Sequence, residues 1–206
     1  MKSTLNTILL LASLGAAAQG PPVIVHARAL GGSDSDFLSG IAPAPDGGAM
    51  LTGFVVSNNG DVSGNHGQFD GWLVRMGTNG LPVWQRCLGG NLNDQLYGIL
   101  QRPGGGYVVY GATWSNNNGD VGTNHGPGAD AWVVALDETG IVQWQRLIGG
   151  TGNDQLNALQ PTADGGYIGV GLSGSNDGDV DSNAGAEDAL IFKLDATGGL
   201  EWTRTY

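Results

Sequence analysis

Asp130-Ala131-Trp132-Val133-Val134-Ala135-Leu136-Asp137-Glu138-Thr139-Gly140-Ile141-Val142-Gln143-Trp144-Gln145-Arg146-Leu147-Ile148-Gly149-Gly150 reads as two short strands about a tight reversal. Asp130 to Leu136 is dense in β-branched and aromatic residues, and so is Ile141 to Ile148. Asp137-Glu138-Thr139-Gly140 sits between them, with glycine where a reversal needs it. Gly149-Gly150 ends the second strand.

Working back toward the N-terminus, Gln95 to Gln101 reads as a strand, Pro103-Gly104-Gly105-Gly106 as a turn, and Tyr107 to Thr113 as a second strand. A polar loop, Ser115 to Ala129, joins this pair to the hairpin. The whole is one unit of four short strands, and it recurs. The Gly-Gly pair stands at Gly31-Gly32, Gly89-Gly90 and Gly149-Gly150, and an acidic residue follows at Asp36, Asp94 and Asp154. Gly-Asp-Val stands at Gly60-Asp61-Val62, Gly119-Asp120-Val121 and Gly178-Asp179-Val180, a step of 59 both times. Trp84, Trp144 and Trp202 close the units. The expected fold is therefore all-β: three tandem four-stranded antiparallel units of about 59 residues, built as β-propeller-like blades. The units run over 31–88, 89–148 and 149–206, preceded by a strand at 23–30, in one repeat domain over 19–206. No 3.6-residue period lasts three turns after the N-terminal segment, so helix is not expected there.

A four-stranded sheet cannot bury its apolar face alone. Trp72 and Trp132, with Leu190 in the third copy, and the closing tryptophans read as packing between blades. Three units fall short of the roughly four to eight blades of a closed propeller. Arg28, Arg86, Arg146 and Arg204 share one register, so a last-strand motif occurs four times. Three outcomes fit: two chains forming a six-bladed ring, a piece of a longer repeat protein, or an open array. Bare sheet faces favour self-association or truncation over a lone three-bladed body. The arginine register is expected to pair with Asp36, Asp94 and Asp154.

Composition narrows the partners. The chain of 206 residues has 8 Lys and Arg against 19 Asp and Glu, a formal net charge of −11. The basic residues are scattered, which excludes a phosphate-tracking surface and argues against nucleic acid. The first eighteen residues carry Lys2, an apolar stretch from Thr7 to Leu14, and Ala16-Ala17-Ala18. They read as a cleaved export signal. The expected location is extracellular, at the cell surface or in the periplasm, without membrane insertion. Cys87 is the single cysteine, so no internal disulfide forms.

The loop between the second and third strands holds the densest chemistry. Its oxygen-bearing residues are Asn59, Asp61 and Asp70 in copy one, and Asn118, Asp120 and Asp130 in copy two. Copy three has Asp177, Asp179 and Asp188. This is the ligand inventory of Ca²⁺, the cofactor expected if any is used. The same residues also serve turns by bonding their own backbone. His66 and His125 occupy one register, with Ala184 in the third copy, and one histidine per loop falls short of a zinc site. Trp114 has Val56 and Leu172 as counterparts, so it is a unique aromatic beside the loop. Trp114, His66 and His125 are the candidate ligand contacts. No nucleophile elbow, His-Glu-x-x-His, Walker or Rossmann pattern occurs, and the chain is read as a non-enzyme.

Asp164-Gly165-Gly166-Tyr167, Asn59-Gly60-Asp61-Val62, Asp130-Ala131-Trp132-Val133-Val134 and Gly140-Ile141-Val142-Gln143-Trp144 together resemble the Gly/Asp/Trp-rich tandem repeats of secreted and surface proteins from Bacteroidetes-type bacteria. The resemblance spans about residues 23 to 206. It implies β-propeller-like blades and, in many members, a C-terminal sorting domain that this sequence does not show. It implies no catalytic residues. The function expected is an exported, non-catalytic binding or scaffold module, contacting a surface glycan or protein with Ca²⁺-assisted loops. Two alternatives stand beside it: a self-assembling structural subunit, and a glycan-active hydrolase built on an asymmetric carboxylate pair.

Overall fold

Twelve strands form three four-stranded antiparallel sheets in series. The computed structural model describes residues 27–206. The export signal read at 1–18 lies outside them. Of the strand read at 23–30, residues 27–30 are described and carry no strand pairing. The first sheet holds β1 (Asp36–Pro43), β2 (Ala49–Val55), β3 (Asp70–Met76) and β4 (Pro82–Leu88). The second holds β5 (Asp94–Gln101), β6 (Tyr107–Thr113), β7 (Asp130–Leu136) and β8 (Val142–Ile148). The third holds β9 (Asp154–Pro161), β10 (Tyr167–Ser173), β11 (Asp188–Leu194) and β12 (Leu200–Thr205). Within each sheet the order follows the sequence. The three sheets stack one behind another, and no sheet closes or curls into a propeller ring.

The copies agree down to their irregularities. In the first strand of each sheet one residue is left unpaired: Ser39, Tyr97 and Asn157. Such a bulge bends a strand and turns a carbonyl out of line. Gly53, Gly111 and Gly171 sit opposite, where a Cβ would lie 1.8–1.9 Å from the carbonyl oxygens of Phe37, Gln95 and Gln155. Only glycine fits there, so the bulge and its glycine travel together through the repeat.

Each sheet has a rear face toward the preceding unit and a forward face toward the next. Between the first two sheets, Met50, Leu73 and Leu88 meet Tyr107, Val109, Trp132, Val134 and Leu136 in one buried cluster. Between the second and third, Val108, Val133 and Ile148 meet Leu156, Leu159, Tyr167, Leu190 and Phe192. The rear face of the first sheet gathers Val55, Val62, Trp72, Val74 and Cys87, with Leu30 against them. Cys87 is buried, and loss of solvent pushes its thiol up to about 12, which keeps it protonated and inert.

Trp132, Trp84 and Trp144 pack between units as expected, whereas Trp72 lies on the rear face of the first sheet and Trp202 is 38% exposed. Trp72 and Trp132 are buried, and their indole N–H groups donate to Gln85 and Gln145 Oε1 at 3.0 Å. The Trp84 ring lies across Gly140 in the β7–β8 turn of the next sheet, and Trp144 lies across Gly198 in the same way. Both glycines have positive φ, and any side chain on them would displace the ring.

Candidate functional site at the seams between sheets

The loops after β2, β6 and β10 fold back on their own units. Asn58, Asn116 and Asn176 each accept a backbone N–H from across the loop, at 3.0, 3.1 and 2.6 Å. The amides of Asn65, Asn124 and Asn183 donate to carbonyls at the end of the preceding strand. The backbone N–H groups of Asp61, Asp120 and Asp179 donate to Gly31, Gly89 and Gly149. Turn chemistry therefore occupies much of the oxygen inventory singled out in the sequence.

The nine residues read as cation ligands have separate destinations. Asn59, Asn118 and Asp177 accept the backbone N–H groups of Ser33, Asn91 and Thr151 at 2.9, 2.6 and 2.7 Å. Asp61 pairs with Arg28 at 2.9 Å, and Asp179 with Arg146 at 2.8 Å. Asp120 lines a surface groove. Asp70, Asp130 and Asp188 each accept a loop backbone N–H, from His66, His125 and Ala184. Among the described residues, no three His, Cys, Asp or Glu side chains are gathered as a metal centre would need.

The pairing of the arginine register with Asp36, Asp94 and Asp154 that the sequence suggests does not form among the described residues. Arg28 and Arg146 reach the Gly-Asp-Val aspartate of the next unit instead. Asp94 accepts Gly90 N–H and Ser115 Oγ–H at 2.7 Å each, and Thr113 Oγ1–H closes on its other oxygen. Asp154 takes Gly150 N–H, Ser175 Oγ–H and Ser173 Oγ–H in the same way. Asp36 accepts Gly32 N–H and both the N–H and Oγ–H of Ser57. These carboxylates tie the start of a sheet to its own loop, which leaves Arg28 and Arg146 free to reach forward.

Sheet stacking then brings two carboxylates together at each seam. Asp70 and Asp94 both face the Cα of Gly89, and Asp130 and Asp154 both face that of Gly149. Backbone bonds cross beside them, from Asp94 N–H to Phe69 O at 2.6 Å and from Asp154 N–H to Ala129 O at 2.7 Å. Asp70 and Asp130 are without solvent exposure, and each has one oxygen, Oδ1, with no hydrogen-bond partner. Burial pushes both acids up, Asp130 to about 6, and the neighbouring carboxylate adds to the effect. A histidine answers each: Nδ1 of His66 and of His125 lies 2.6 Å from the other carboxylate oxygen.

His66 and His125 thus occupy equivalent places but end in different surroundings. At the second seam His125 Nε2 also lies 3.5 Å from Asp179 Oδ2, and Arg146 holds Asp179 from the other side. At the first seam the equivalent trio is His66, Asp120 and Arg86. No hydrogen bond joins Arg86 to Asp120 among the described residues. The trio instead lines an open groove of about 290 Å³ with Ser63, Gln85 and Cys87. Trp114 is half-buried, donates its backbone N–H to Asn93 O at 2.9 Å, and does not line that groove. The sequence marks His66 but does not place Arg86 or Asp120 beside it. The signal lay in the register: each belongs to a repeated set whose other members pair across a seam.

The sequence matches no family model and no curated protein. Among solved structures it is similar to a crystal structure of a protein of unknown function from Bacteroides caccae. The two share 14% identity over 86% of this chain and 70% of that one, with a TM-score of 0.32.

Proposed function

We propose that this protein is an exported, non-catalytic binding and scaffold module whose ligand contact is the groove at the first seam. The observation that carries the reading is the difference between two equivalent trios. His125 and Arg146 both close on Asp179, whereas His66, Asp120 and Arg86 face solvent together. A shallow groove lined by hydroxyl, amide, imidazole, guanidinium and carboxylate groups offers donors and acceptors suited to the hydroxyls of a glycan. The acidic residues that a hydrolase would need support the non-catalytic side. The paired carboxylates lie at the seams, Asp70 and Asp130 without solvent exposure and Asp94 and Asp154 also buried. Each pair has a counterpart in the repeat, so neither seam is singled out for catalysis.

Glycan arrays test this. The chain is expected to bind a restricted set of glycans, and His66→Ala and Arg86→Ala to weaken binding about tenfold each, against no change for His125→Ala. Arrays run with Ca²⁺ and with EDTA are expected to agree, because the loop oxygens serve the chain itself. Flat arrays, or equal losses from His66→Ala and His125→Ala, would remove the groove from the argument.

The self-assembling reading has its own support, in the apolar face of the third sheet.

A further inference from the structure

We propose that the forward face of the third sheet is a docking surface for the rear face of the first sheet of a second copy of this chain, head to tail. This goes beyond the groove reading and does not depend on it.

The chain builds the same interface twice, and among the described residues the forward face of the third sheet and part of the rear face of the first are left uncovered. On the forward side, Val133 and Ile148 are buried under the third sheet. Their counterparts in the third sheet are Ile191, only partly covered, and Tyr206, 76% exposed. Val170 and Leu172, on the same face, are 43% and 38% exposed. Ile168, Ile191, Trp202, Arg204 and Tyr206 line an open apolar hollow there. On the rear side, Ile99 and Leu159 are 7% and 1% exposed where they pack on the preceding sheet. Ile41 holds that place in the first sheet and is 70% exposed, with Leu38 beside it at 47%.

The polar fittings of the forward face are unused as well among the described residues. Trp84 and Trp144 each cover a glycine of the next unit, while Trp202 is 38% exposed. The matching glycine of the first unit is Gly80, which has the same positive φ as Gly140 and Gly198. Arg28 and Arg146 reach the Gly-Asp-Val aspartate of the following unit. Among the described residues Arg204 bonds only the neighbouring Thr203 carbonyl, at 2.6 Å. Continuing the repeat by one step therefore places Trp202 over Gly80 of the second copy and Arg204 on its Asp61. Residues 27–30 of that copy hold part of this position, through Arg28 and Leu30. They carry no strand pairing, so β12 of the first copy takes their place by exchanging the Arg28–Asp61 pair for one from Arg204.

Such a contact is heterologous: each copy uses two different faces, and assembly runs on to a closed ring or an open chain. The test is mass in solution by sedimentation equilibrium, with the whole chain as it is exported. The wild-type protein is expected to grow with concentration in whole multiples of the chain mass. Val170→Asp, on the forward face, and Ile41→Asp, on the rear face, are each expected to give monomers. Both replace exposed side chains, and unchanged melting temperatures confirm that they fold. Mixed one to one, the two variants retain one complementary pair of faces and are expected to form a dimer and nothing larger. A wild-type chain that stays monomeric up to about 100 μM overturns the proposal. Assembly that Val170→Asp abolishes but Ile41→Asp leaves intact also overturns it, because that pattern means two forward faces meeting. Glycan binding is read separately, so loss of one conclusion leaves the other standing.

Discussion

The two seams are made from the same residue types at the same spacing, yet one is zipped and the other is open. At the second, Asp179 sits between Arg146 and His125 and is largely covered. At the first, His66, Asp120 and Arg86 line a groove instead. Below the surface the seams agree, with Asp70 and Asp94 in one and Asp130 and Asp154 in the other, each under a histidine. The repeat thus keeps its buried contacts and varies its rim.

The largest difference to be measured lies in the buried layer. Asp154→Ala would strand Gly150 N–H and two serine hydroxyls in a buried site, costing about 4 kcal/mol in urea unfolding. Asp36, its counterpart on the open rear face, is partly exposed, and Asp36→Ala is expected to cost about 1 kcal/mol. Equal losses would mean that the seam adds nothing to these acids.

The pH response comes next. Asp130 has its folded value raised to about 6, above the ordinary 3.8, so the folded chain holds this proton more tightly than the unfolded chain. Its contribution to stability is present below about pH 4 and is lost as pH rises toward 6. Asp130→Asn removes that dependence. Across this window the wild type is expected to lose about 2 kcal/mol relative to the variant. Parallel stability curves from pH 4 to 7 would contradict the burial argument. His125 and Asp154 face this acid, so the variant should be compared with His125→Ala in the same series.

The smallest effect belongs to the rim. Arg146→Ala unzips the second seam at a cost of about 1 kcal/mol, and Arg86→Ala is expected to cost nothing measurable. If Arg146→Ala also creates glycan binding at the second seam, the groove needs only to be open. If it does not, His66 and Asp120 are placed in a way their counterparts are not.

Much of this molecule was legible in its sequence. Tyr107–Thr113 and Asp130–Leu136 form at the bounds their residues imply, because β-branched and aromatic runs stop at glycine-rich turns. Trp84 and Trp144 declared inter-sheet packing by recurring once per unit. The seam acids were hidden for a physical reason. Asp70 and Asp94 belong to different units, and only the stacking of sheets puts both beside Gly89. Asp61 and Asp179 read as cation ligands because a loop taken alone shows oxygens but not the arginine arriving from the segment before the Gly-Gly pair. Trp114 stood out because its counterparts are not aromatic, yet uniqueness in a repeat does not place a side chain in a groove.

The hydrogen bonds from Asp94 to Phe69 and from Asp154 to Ala129 carry main-chain pairing from one sheet into the next. Because of them the array behaves as a short row of dominoes rather than as three beads on a string. The middle unit is braced on both sides, and each outer one is braced by a single described sheet. Heat will fray such a row from its ends inward, and any added unit would shelter the one it covers.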